Sequence, residues 1–350
     1  MLGGGAAATA AAPAYSNEFL SVGVGARALS MGGAATATAY DACAPYWNPA
    51  LLPALPFARS AALMHAEYFA GVAKLDFGAF AFRVDSATTA AASLVRFGVD
   101  DILNTIDLID KDGNFSYDRL SYFSTADYAL IFSLARKLSV AGRAVSLGAN
   151  AKLVYRNVGE FAAAYGFGVD LGAHYAPGSW RFGLMLRDLT TTVNVWTYNA
   201  AVLEIPAYGL PSGDTITNSV PASRVEVTLP KITLAAARSF AFGADFSLLA
   251  EVGLDVTTDG QRNVLISTKA LNVDPKLGVE AGYKQLVFLR MGLCNAQRIS
   301  DFGGGSYFTV QPSLGLGLRF RGFALDYALT NVGSVGASRY SNIFSLSYGF

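Results

Sequence analysis

The sequence predicts an antiparallel transmembrane β-barrel of about fourteen strands with a small N-terminal helical plug, and three observations lead there. Although 52% of the 350 residues are hydrophobic and only 15% charged, no Leu-rich run reaches the roughly 20 apolar residues that a membrane-spanning helix needs. Many segments after residue 57 alternate apolar with small or polar residues, the period of a wall with two unlike faces. The connections between these segments fall into a short set and a long set. A segment in hydrocarbon must satisfy its backbone polar groups internally, so once helices are excluded a closed barrel remains.

Taken in chain order, residues 1–14 read as the remnant of a secretory signal, because Ala12-Pro13-Ala14 ends in an A-x-A cleavage pattern. Residues 15–56 read as the plug. Within them 23–53 has no two-residue period, and its density of Gly and Ala suits a chain packed in a crowded lumen. Asn48 followed by Pro49 marks a helix start, since Asn caps free N–H groups and proline at the first position forfeits no needed bond.

The barrel then occupies 57–350, with strands expected near 57–68, 72–83, 87–98, 123–135, 144–156, 164–176, 179–190, 230–241, 245–256, 275–284, 286–294, 307–320, 323–330 and 340–350. If the chain enters the wall from the periplasm, the long connections 99–122, 191–229, 257–274, 295–306 and 331–339 all lie outside. The short ones at 84–86, 176–179 and 321–322 all lie on the periplasmic side. Bacterial barrels have this asymmetry, and an odd strand count would break it. In 307–320, Phe308, Val310, Leu314, Leu316, Leu318 and Phe320 share one face, opposite Thr309, Gln311, Ser313, Gly315, Gly317 and Arg319. In the last strand Phe344, Leu346, Tyr348 and the terminal Phe350 share a face, the C-terminal mark by which barrel assembly machinery recognises an unclosed strand edge.

The same alternation sends Asp76, Lys152, Arg156, Asp170, Arg181, Arg187, Glu251, Asp255, Glu280, Arg290, Arg319 and Asp326 inward. Both signs are present, so these residues are expected to pair across the lumen and to hold Arg27 and Asp41 of the plug. Equal counts of acid and base, 26 each, and the lack of a Lys/Arg run argue against nucleic-acid binding. Cys43 and Cys294 have no metal-ligand spacing, so no metal site or cofactor is expected. Only His65 and His174 are available to a catalytic triad, and His174 with Asp170 reads as a lumen contact; no enzyme is expected. The acidic run 107–118 lacks the offsets of a calcium loop and reads as a solvated outer connection.

Gly25-Ala26-Arg27-Ala28, Met31-Gly32-Gly33-Ala34, Asp41 and Trp47-Asn48-Pro49-Ala50 resemble the plug motif of the FadL-type outer-membrane transporters and, still more, that of the related PorV/PorQ-type barrels. The pattern has Gly where Ser30 stands, an acidic pair where Tyr40-Asp41 stands and Gly where Leu51 stands. Resemblance to FadL implies a fourteen-stranded outer-membrane barrel whose hatch blocks free diffusion. It also implies a hydrophobic small molecule such as a long-chain fatty acid, captured from outside and released sideways near the third strand. Resemblance to PorV implies a scaffold that holds secreted proteins. On the transporter reading, Lys152, Arg156 and Arg187 form a cationic subset for a carboxylate headgroup. The small residues of 87–93, with Ala91 and Ser93, suit the side exit.

Overall fold

A computed structural model describes residues 16–106, 108–109, 114–203, 225–300, 305–330 and 341–350. The strands are β1 (Arg59–Tyr68), β2 (Ala73–Arg83), β3 (Thr88–Asn104), β4 (Ser121–Val140), β5 (Arg143–Val158), β6 (Ala162–Tyr175), β7 (Trp180–Arg187), β8 (Thr192–Tyr198) and β9 (Val225–Thr228). There follow β10 (Lys231–Phe242), β11 (Phe246–Thr257), β12 (Ile266–Ser267), β13 (Asn272–Tyr283), β14 (Val287–Ser300), β15 (Ser306–Phe320), β16 (Phe323–Thr330) and β17 (Ser341–Gly349). All form one antiparallel sheet that closes where β17 pairs with β1, Leu346 opposite Leu63. Closure removes both free edges, the condition for a sheet to lie in lipid.

Three of these strands do not add to the wall count. β8 prolongs the line of β7 and β9 that of β10, both beyond an interruption, and β12 is a short outer addition to β13. The remaining wall has fourteen strands, as the alternation predicts. The extensions correct the expected boundaries. Part of 191–229 continues the wall because Val193, Val195 and the aromatics Trp196 and Tyr198 are good strand formers; residues 204–224 lie outside the described residues. β3 and β14 likewise run past their expected ends through bulges at 100–101 and 295–296. The expected signal residues 1–14, part of the acidic run (107 and 110–113) and connection 331–339 are also outside the described residues.

The outer face carries Leu63, Phe80, Leu94, Phe132, Leu153, Phe167, Leu289, Leu316 and Leu346, all exposed. The row of ring contacts Tyr128, Tyr155 and Tyr165 marks the outer rim of this belt. Asp76 belongs to that rim, against expectation: it faces outward, 2.7 Å from His65 Nδ1 and 3.1 Å from Arg96 Nη1. The inner face of β1 and β2 is apolar instead (Met64, Leu75, Phe77, Ala81), because it packs on the apolar side of the plug rather than on water. The alternation is correct there, but its sense is reversed.

Residues 16–56 thread the lumen. Ser16 and Asn17 bond to Asn194 on β8 at the outer end, and the chain descends to enter β1 at the periplasmic end. A 3-10 turn (Glu18–Ser21), helix α1 (Ala26–Ser30), helix α2 (Ala44–Trp47) and a second 3-10 segment (Pro49–Ala54) make up its ordered turns. Val24, Trp47, Leu51, Leu52 and Leu55 join the inner faces of β1–β4 in one apolar cluster.

Candidate functional site

Asn48 is extended at φ −166°, and its Oδ1 accepts from Ala50 N at 3.0 Å, so it caps the 3-10 segment with Pro49 at the first position, as read from sequence. Its Nδ2 donates to Thr36 O at 3.0 Å and to Ala173 O of β6 at 3.1 Å. The wall makes room for this turn with paired inward glycines, Gly148 opposite Gly172. A Cβ on Gly148 would stand 2.6 Å from Ala50 N, and one on Gly172 would overlap Asn48 Oδ1. Across the lumen Gly278 stands opposite Gly292 and receives Met31 and Gly32 in the same way. Gly32 (φ +65°) and Gly33 (φ +75°) adopt the left-handed backbone that this close approach requires.

Arg27 is the main electrostatic fastening. Its Nε is 2.8 Å and its Nη2 3.1 Å from the two oxygens of Glu280, and Nη1 donates to Thr38 O at 3.0 Å. Glu280 also accepts from Arg290, which reaches Asp326 at 2.7 Å. Glu251 accepts from Ala37 N at 2.9 Å and from the Thr38 hydroxyl. Asp41 does not join a wall cation: its Oδ1 accepts from Cys43 N at 2.9 Å and closes a local turn. Tyr40, where the motif has an acid, sits between the guanidinium groups of Arg27 and Arg319, 4.5 and 3.8 Å from its ring centre.

The three cations expected to gather at a headgroup do not meet. Lys152 is buried, 2.6 Å from Asp170 and in contact with Asp188. Arg156 pairs with Asp127 at 3.0 Å and Glu226 at 3.1 Å. Arg187, which shares a small pocket with Lys152 and Asp170, also faces a larger cavity and is anchored by bonds to Leu20 O and Tyr46 O at 2.8 and 2.9 Å. That cavity, ≈ 260 Å³ above the plug at the outer mouth, is lined by Val22, Leu29 and Trp47 on one side and by Arg187, Lys231 and Lys276 on the other. Lys231 and Lys276 share Asp255, at 2.6 and 2.7 Å. Sequence reading missed both lysines, which the inward face of β10 and β13 would have included.

Beside this cavity the wall is interrupted. Leu171 stands opposite Leu186 and Phe167 opposite Val193, so residues 168–170 of β6 face 187–192. The surplus bows outward: Leu189 is exposed, and Asp188 (φ +54°) and Thr191 (φ +59°) take strained left-handed conformations. Lys152 holds the bow from inside through Asp170 and Asp188; Asp188 also accepts from Thr192 at 2.5 Å. Ala91 and Ser93, the expected side exit, are buried on the inner face, and β3 there is paired without a break to β2 and β4. Their small size is accounted for by the neighbouring plug. His174 does not contact Asp170, whose oxygens serve Lys152, Asn150 and Asp188 N. Among the described residues no cluster of His, Cys, Asp and Glu fits a metal ion.

No family model matches the chain, and no curated protein does. Solved structures do. The CymD monoaromatic hydrocarbon channel shares 14% identity at a TM-score of 0.54, covering 94% of this chain and 98% of its own. The Ralstonia pickettii toluene transporter TbuX gives 14%, 0.55, 94% and 98%. A Pseudomonas aeruginosa FadL homologue gives 15%, 0.51, 93% and 98%. The resemblance read from residues 23–53 therefore holds for the architecture of nearly the whole chain, a membrane-spanning barrel with the fold of the FadL-type outer-membrane channels.

Proposed function

We propose that this barrel takes up hydrophobic small molecules such as long-chain fatty acids passively, from the outer mouth, and releases them sideways through its wall. The observation that carries the reading is the outer cavity, where an apolar floor (Val22, Leu29, Trp47) adjoins a charged rim in which Arg187, Lys231, Arg262 and Lys276 outnumber Asp255 and Asp274. Such a site accepts an alkyl chain with an anionic head. Arg187 both lines this cavity and precedes Asp188, the first residue of the wall interruption, so capture and exit adjoin. The exit accordingly lies at 188–191 rather than at Ala91 and Ser93. Related folds named for toluene and monoaromatic hydrocarbons support a hydrophobic cargo.

Reconstituted vesicles test this. Uptake of a fluorescent long-chain fatty acid should fall about tenfold in Arg187→Gln/Lys276→Gln, the loss of one charged hydrogen bond's worth of binding, while toluene uptake stays unchanged. A disulfide across the interruption, in Val169→Cys/Leu189→Cys, should stop uptake of both until it is reduced. If the wild-type vesicles take up neither compound, the transporter reading fails and a PorV-like scaffold for secreted proteins replaces it.

A further inference from the structure

The lipid-facing wall carries one feature that uptake does not use. Between β6, β7, β10 and β11 it is dented by an open groove of ≈ 440 Å³, floored by Ala173 and Ala236 and walled by Phe182, Leu234, Val252 and Leu254. At its periplasmic end stands Arg238, outward and exposed, beside the short turn 176–179. Its guanidinium lies 5.1 Å from the Trp180 ring centre and 4.9 Å from that of Phe240. Trp180 in turn stacks on Phe182, so the rings that hold the arginine continue into the groove. Its neighbour across the ladder on β11 is Ala250, too small to cover it. Among the described residues no carboxylate lies within ion-pair range of Arg238.

A cation on the hydrocarbon face of a barrel is costly unless it sits at headgroup depth. Arg238 sits there, in an aromatic belt, with its ring contacts fixing the planar fork and its N–H edges unspent among the described residues. A guanidinium so presented matches a phosphate. The apolar groove runs from it toward the bilayer centre, a depth at which acyl chains are the available occupants. We propose that this face binds one glycerophospholipid of the periplasmic leaflet, phosphate on Arg238 and one acyl chain along Ala236 and Ala173. The proposal is independent of what the lumen carries.

The test is native mass spectrometry of the whole barrel in mild detergent, supplied with phosphatidylglycerol or with diacylglycerol of the same chains. The barrel should retain one phosphatidylglycerol and no diacylglycerol. Arg238→Gln should lower retention about tenfold, as expected for one charge-assisted contact. Ala236→Trp, which fills the groove but leaves the arginine, should lower it as far. Both variants should stay heat-modifiable, which shows that the wall is closed. Equal retention of the two lipids, or retention unchanged in either variant, would overturn the proposal. So would a dimer that Ala236→Trp dissolves, since the face would then belong to a second copy of the chain.

Discussion

The glycine pairs that receive the plug can be tested one atom at a time. In Gly148→Ala the new Cβ would stand 2.6 Å from both Ala50 N and Pro49 C, and 2.9 Å from Pro49 O. These are backbone atoms of a capped turn, so no side-chain rotation relieves the overlap. Overpacking of this kind costs about 1–3 kcal/mol. If the turn retreats instead, Asn48 loses its bonds to Ala173 O and Thr36 O, about 1 kcal/mol each and more if the amide stays buried. Either route costs about 1–3 kcal/mol, which raises the undocked fraction of the plug by about one to two powers of ten. Leakage of a small dye from vesicles should rise accordingly, while yield and heat-modifiability of the barrel stay near wild type, because the lipid-facing wall is untouched. Gly253→Ala is the control: it also faces inward, but its Cβ would meet nothing nearer than 3.7 Å. A Gly148→Ala barrel as tight as wild type, or a Gly253→Ala barrel that leaks equally, would refute the reasoning.

Three further outcomes are expected. Lys152→Met leaves Asp170 and Asp188 buried without their cation, a cost of about 3–5 kcal/mol. Its heat-modification temperature should drop, and adding Asp170→Asn/Asp188→Asn should restore it; no drop would mean that the bow stands without the lysine. Protease added to intact cells should cut within 258–271 and spare 176–179, and the opposite pattern would invert the topology. Replacing Tyr348 and Phe350 with Ser removes the stack of Tyr348 on Phe323, 4.2 Å between ring centres, and on Phe350, 5.3 Å. The protein should then fail to assemble and collect in periplasmic aggregates; normal membrane levels would show that the terminal aromatics are not read during assembly.

The wall was legible because its physics is local. Lipid outside and a crowded lumen inside impose a two-residue period, so 307–320 and 340–350 could be assigned residue by residue. The cap at Asn48 was legible for the same reason, since Asn-Pro states its own geometry. The register of long-range partners was not. Asp76 obeys the period, but which face is apolar depends on which side of the plug β2 meets. Lys152, Arg156 and Arg187 share a barrel face, yet Arg156 pairs apart from the other two, because barrel strands are staggered and inner residues adjacent in pattern sit at different depths. The small residues around Ala91 carried a real signal of close approach, but sequence does not say whether the approaching group is a plug or a ligand. The interruption at 188–191 left only a faint trace, the polar Asp188 and Thr190-Thr191 between two alternating runs.

The energetics of the plug bear on the proposed sideways release. Arg27 to Glu280, Ala37 and Thr38 to Glu251, Asn48 to Ala173, Arg187 to Leu20 and Tyr46, Gly32 to Ser313 and Ala26 to Ser345 all join it to the wall. At about 1 kcal/mol for a neutral bond and 1.5–3 for a charged one, undocking the plug as a body costs on the order of 10 kcal/mol before its apolar cluster is counted. Such an opening is populated about once in ten million, too rarely for uptake driven only by the solute's own gradient. The bow at 188–191 has fewer ties: one lysine, one threonine hydroxyl, a bond from Asp188 N to Asp170 and one backbone bond, from Leu189 N to Val169 O at 2.9 Å. Its two strained residues already hold conformations that a relaxed segment would leave. Under the proposed uptake, a hydrophobic molecule seated against Arg187 would therefore meet its lowest barrier sideways, toward lipid, where its alkyl chain is also best solvated.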